Sequence, residues 1–120
     1  MPNITELPQK IVDGFPKLEN VPPGTYDVRV KQINKFENHV KVFYEVTEGA
    51  CIGAPIWEHF NFDYELAQKK FRQFLDAIRT IPTHGNFDLD ACVGKTLSIT
   101  VKHKEYKGNT YVNVTQHLPF

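Results

Sequence analysis

Apolar and polar residues alternate from Thr25 to Phe36. Tyr26, Val28 and Val30 fall on one side, and Asp27, Arg29 and Lys31 on the other. That is the pattern of a half-buried strand. The alternation slips at Gln32-Ile33, where a bulge would restore the apolar face and bend the strand. A polar turn at Glu37-Asn38 leads to a second run with Val40, Val42, Tyr44 and Val46 inward and Lys41, Phe43 and Glu45 outward. Beyond turn residues around Gly49 and Gly53, a third run sets Ile56, Phe60 and Phe62 against Trp57, His59 and Asn61.

The period then changes from two to 3.6. Ala67, Phe71, Phe74, Ile78 and Ile81, with Leu75 beside them, make one apolar stripe of a helix. Asp63 suits its N-cap, Glu65 its positive end, Arg79 its negative end, and Pro82 its stop. Asp88 to Val93 reads as a short helical turn or an irregular link, where Asp88 and Asp90 form turns or caps. A fourth strand follows Gly94, with Leu97, Ile99 and Val101 inward and Ser98, Thr100, Lys102 and Lys104 outward. Tyr106-Lys107-Gly108-Asn109 is a hairpin turn in which Gly108 and Asn109 can take positive φ. The last strand puts Val112 and Val114 inside and Tyr111, Asn113 and Thr115 outside. The expected fold is mainly β with one helix, a five-stranded OB-fold barrel with the helix between strands three and four.

A chain of 120 residues holds one domain, and 41% hydrophobic with 23% charged residues is ordinary for a globular protein. Residues 24–120 form the expected domain. The proline-rich stretch 1–23 is either an arm lying on it or a disordered leader. No apolar run approaches the roughly 18 to 20 residues that cross a bilayer. The first residues lack a basic start and an apolar core, so no secretion signal is read and the cytoplasm is expected. Cys51 and Cys92 then behave as small hydrophobes in a reducing compartment. Fourteen basic residues offset fourteen acidic ones, so no basic field covers the whole molecule, unlike most nucleic-acid binders. Four lysines with one acid, Glu105, lie between Lys95 and Lys107.

The motifs of catalysis are missing from the sequence. The five histidines are scattered, with no Cys-x-x-Cys and no His-x-x-x-His pair. Glu58 and His59, as neighbours on a strand, face opposite ways. No enzyme activity, metal or cofactor is expected. The informative set faces outward on the first three strands: Arg29, Lys31, Lys41, Phe43, Trp57 and His59. OB-folds bind oligonucleotides across strands two and three, flanked by the loops between strands one and two and between four and five. Those loops supply Lys35, Phe36 and His39, then Lys104, Tyr106 and Lys107, with Lys102 and Tyr111 beside them. Exposed rings among cations suit single strands, because bases stack at roughly 1–3 kcal/mol each while cations hold phosphates. Trp57 could instead close a small secondary core against the N-terminal arm.

Pro23-Gly24-Thr25-Tyr26-Asp27-Val28 resembles the Pro-x-Gly-x-Tyr-x-Val opening of short phage proteins long catalogued as a domain of unknown function. Val42 to Val46 followed by Gly49 and Gly53, Ile56 to Asn61, Gly94-Lys95, and Tyr106-x-Gly108 with Tyr111-x-Asn113 match in order and spacing. The resemblance covers about residues 20–118. It implies an OB-fold phage protein that binds single-stranded DNA in replication or recombination, within the host cytoplasm. Proteins of this broad functional class often end in an acidic tail with a terminal aromatic. Here His117-Leu118-Pro119-Phe120 has the aromatic without the acids. The competing expectation is a protein-interaction module that uses the same surface to dock a replication or recombination partner, or a second copy as a homodimer. No membrane partner is expected.

Overall fold

The structure, a computed structural model, describes residues 21–80, 82, 85 and 87–120, and at Tyr106 the backbone alone. Residues 1–20 of the expected arm, together with Ile81, His84 and the Tyr106 ring, lie outside the described residues.

Each alternating run becomes a strand: β1 (Gly24–Phe36), β2 (His39–Val46), β3 (Pro55–Asn61), β4 (Thr96–Tyr106) and β5 (Asn109–Pro119). All neighbours pair antiparallel in one sheet of order β3-β2-β1-β4-β5. β1 is long enough to serve two partners. Its first half pairs with β4 from Gly24 to Arg29, and its Val28–Phe36 stretch pairs with β2. The register shift falls between Val30 and Gln32. Past it, Ile33 turns inward and is buried, while Gln32, Asn34 and Phe36 turn outward.

The inward positions form the core. Val28, Val40, Val42, Tyr44, Leu97, Ile99 and Val101 are fully buried. Each aliphatic side chain so buried contributes roughly 1.5–3 kcal/mol. Helix α1 (Glu65–Ala77) covers part of this face with Phe74, Leu75 and Ala77, and a 3-10 turn at Leu89–Cys92 adds buried Cys92. Phe71 and Phe74 meet Phe60 at centroid separations of 5.1 and 5.9 Å. Asp88 caps the 3-10 turn by accepting from the Asp90 backbone N–H.

Three local expectations change. The N-cap of α1 is Tyr64, without a side-chain cap bond; the Asp63 carboxylate instead accepts from Asn38 at 3.1 Å. The helix stops before Pro82, because Arg79 takes a left-handed φ of 56° just past the Ile78 C-cap. Arg79 therefore lies outside the helix and leaves no base in its last turn. In the β4–β5 hairpin the positive φ values belong to Lys107 (50°) and Gly108 (78°), since Tyr106 already pairs with Asn109.

The ladders leave the sheet open. Its outer strands β3 and β5 are linked instead by side chains, through Glu58 and His117.

Candidate nucleic-acid interface

Cross-strand partners in an antiparallel ladder project to the same side. The registers of β1, β2 and β3 therefore build three successive rows on the outer face. They read Gln32–Phe43–Trp57, then Asn34–Lys41–His59, then Phe36–His39–Asn61. Rows are two residues apart along each strand, about 6.7 Å.

In the first row the Phe43 and Trp57 rings lie 4.4 Å apart, tilted by 36°. The Lys41 ammonium from the second row sits 4.3 Å from the indole centroid, a cation–π contact. Trp57 keeps 42% of its surface exposed; the expected alternative, a small core closed against the N-terminal arm, lies outside the described residues. In the second and third rows, His39 Nε2 and His59 Nδ1 are 2.7 Å apart and share one N–H. Their rings stand edge to face at 4.8 Å, and Phe36 meets His39 likewise at 6.3 Å. Partial burial, then His39 and Lys41 nearby, lower the pKa of His59, which favours its neutral ring.

The remaining cations divide. Arg29 and Lys31 share this face, but both reach Glu45, at 3.1 and 3.5 Å, so one carboxylate offsets part of their charge. Lys35 pairs with Val40, which puts it on the core side of the sheet at its margin and out of the rows. Alternation carries Lys102 and Lys104 to the outer side on β4, with Lys104 opposite Tyr111 and Lys102 opposite Asn113. They lie past Val101, where β1 no longer pairs, on a two-stranded β4–β5 ribbon outside the three rows. Tyr111 is half exposed there, and Lys107 forms the ribbon's turn.

A buried polar cluster behind the rows was not anticipated. Glu58 accepts from the Tyr44 hydroxyl at 2.6 Å and from His117 Nε2 at 2.8 Å. His117 Nδ1 and its backbone N–H both face the Gln73 side-chain oxygen, at 3.0 and 3.2 Å. Both ring nitrogens thus have a hydrogen-bond partner. Burial, and then Glu58, push the Tyr44 phenol well above its usual pKa, so it stays a donor. Glu58 had a signal in the sequence, since it holds an inward position between Ile56 and Phe60. His117 had none, because the bulge that turns it inward lies opposite Thr100/Val101 on the neighbouring strand.

Flat ring surfaces around an ammonium can stack π systems and hold an anion. Among the described residues, no group of three or more His, Cys, Asp or Glu could hold a metal ion. No described helix is long and apolar enough to cross a membrane.

Among the described residues, fold and face together define a class: five antiparallel strands in one sheet, one α-helix, and an outer surface of aromatic rows around one lysine. A family model described as "Protein of unknown function (DUF669)" matches residues 10–120, and the chain belongs to that family. No curated protein matches the chain.

Proposed function

We propose that this protein binds single-stranded DNA without sequence preference, as a binding module and not an enzyme, in phage DNA replication or recombination. The observation that carries the reading is the half-exposed Trp57 ring, set against Phe43 with the Lys41 ammonium over it. A base arriving over the indole takes the place of Lys41, and the displaced ammonium is then close enough to meet the phosphate of that nucleotide. Stacking of this kind tolerates any base. The strand order, with α1 between β3 and β4, fits an OB-fold whose barrel closes β3 against β5. The Glu58–His117 contact spans that seam. The sequence resemblance to phage single-stranded-DNA-binding proteins supports the setting.

Trp57 is the only tryptophan, so its fluorescence reports the site directly. Poly-dT should quench it at low salt, and Trp57→Ala should abolish the gel shift. Absence of both quenching and a gel shift at low salt would refute the reading.

The pairing of Arg29 and Lys31 with Glu45 favours a second reading, docking of a replication or recombination protein on the same face. A partner retained through nuclease treatment, by a protein that fails to bind DNA, would select it.

A further inference from the structure

We infer that the interface holds two base-stacking platforms flanking one phosphate position, which sets both the path and the minimum length of the bound strand. This rests on the single-stranded-DNA reading above. The first platform is Phe43–Trp57. The second is Phe36–His39, buttressed by His59, at the other end of the same face. Lys41 occupies the row between them.

The order along the sheet is therefore aromatic, cation, aromatic, so a strand lying along β2 would set one base on each platform and pass its backbone by Lys41 between them. Phe36 is 58% exposed, and among the described residues its ring meets one other ring, that of His39, edge to face. A large apolar ring so placed makes little contribution to the core, whereas a base laid on it would bury its surface. The bulge between Val30 and Gln32 is what turns Phe36 to this side. With uninterrupted alternation it would share the inward side of Val28 and Val30. His59, held neutral by its surroundings, offers a ring edge to His39 and adds no charge that would repel Lys41.

Four residue steps along β2 separate Phe43 from His39, about 13 Å of strand. Stacked nucleotides repeat every ~3.4 Å along one strand. A strand that reaches both platforms therefore spans about four nucleotide steps, and fewer if its backbone is drawn straight. It runs along β2, not across the sheet toward Lys102 and Lys104.

The test is a length series of oligo-dT, from three to twelve nucleotides, titrated against Trp57 fluorescence. Wild-type affinity should climb steeply up to about five nucleotides and slowly beyond. Phe36→Ala and His39→Ala should weaken binding of eight nucleotides by fivefold or more, the loss expected for one stacked base. They should change binding of three nucleotides by no more than about twofold. Circular dichroism of the free variants separates this from misfolding, and Phe36→Trp should restore the long-oligomer affinity. If wild type quenches but Phe36→Ala binds every length as wild type does, the second platform is overturned while the DNA reading stands. If wild type binds no length at all, both fall.

Discussion

Replacing His117 by alanine should unfold the protein far more readily than the loss of one surface-strand residue would suggest. The imidazole is fully buried, and Glu58 keeps only 7% of its side chain exposed. In the native state the carboxylate has two donors, Tyr44 at 2.6 Å and His117 at 2.8 Å. Without the imidazole, a buried carboxylate is left with one phenol and a cavity beside it. Breaking a buried pair from one side costs about 3–5 kcal/mol. Domains of this size have only roughly 5–15 kcal/mol in all. With a urea slope near 2 kcal/mol/M, the midpoint should fall by about 2 M. Far-UV circular dichroism and Trp57 fluorescence should move together. The informative control is Glu58→Met with His117→Leu, which removes both polar partners and fills the space. That double variant should recover most of the loss, because well-packed apolar pairs often equal buried ion pairs. His117→Ala within 1 kcal/mol of wild type, or a double variant no better than the single, would refute the account of this seam.

Four further outcomes follow from the geometry. Gly108→Ala should cost about 1–2 kcal/mol in urea unfolding, because φ is +78° while nothing lies within 4 Å of the new Cβ. The lowered pKa of His59 means that its stabilising effect is present above the ordinary imidazole value and lost as pH falls below it. A thermal-melting series from pH 7.5 to 5 should therefore show a flatter decline for His59→Gln than for wild type. Burial, with Asp88 adding to it, pushes the Cys92 thiol up to about 11. Stability should fall as pH rises from about 9 through 11, and at pH 8 a thiol reagent should label the partly exposed Cys51 well before the buried Cys92. Finally, Lys41 is the one formal cation in the three rows, so the salt dependence of oligo-dT binding should be shallow. A slope of about −0.7 is expected from Lys41 by itself, and about −2 if Arg29 and Lys31 also reach phosphates, since each neutralised phosphate of a single strand contributes about −0.7. A slope steeper than −4 would place the main contacts on other cations.

The strands were legible because the sheet has one wet face and one dry one. Val40, Val42, Tyr44 and Val46 are all buried, while Lys41, Phe43 and Glu45 are partly exposed between them, so period two stands out. The β1 bulge showed as a phase slip at Gln32-Ile33 for the same reason. Failures came where backbone conformation, and not burial, set the outcome. Arg79 in the left-handed region ends α1 five residues after Phe74, before the proline that seemed to stop it. The β5 shift opposite Thr100/Val101 re-aims Gln116 and His117, and no residue there signals it. Contacts between elements were beyond reach in principle. His39 and His59 lie twenty positions apart and meet only because β2 and β3 pair in one particular register.

That register also explains how a chain with no net charge can present a face suited to an anionic polymer. Several of its acids are placed where they do not oppose the rows. Glu58 points inward to His117, Asp27 accepts from Ser98, Asp63 accepts from Asn38, and Glu65 lies beside Lys69 on the helix. On the outer side Glu45 offsets Arg29 and Lys31 next to the first row, and Asp27 lies further back along β1, bonded to Ser98. What remains over the nine positions of the rows is one ammonium, three aromatic rings, two imidazoles and three neutral amides. Affinity on such a surface has to come mainly from ring contact, with charge fixing where the backbone lies. The overall charge balance, which reads from composition as an objection to nucleic-acid binding, instead predicts which of the two forces dominates.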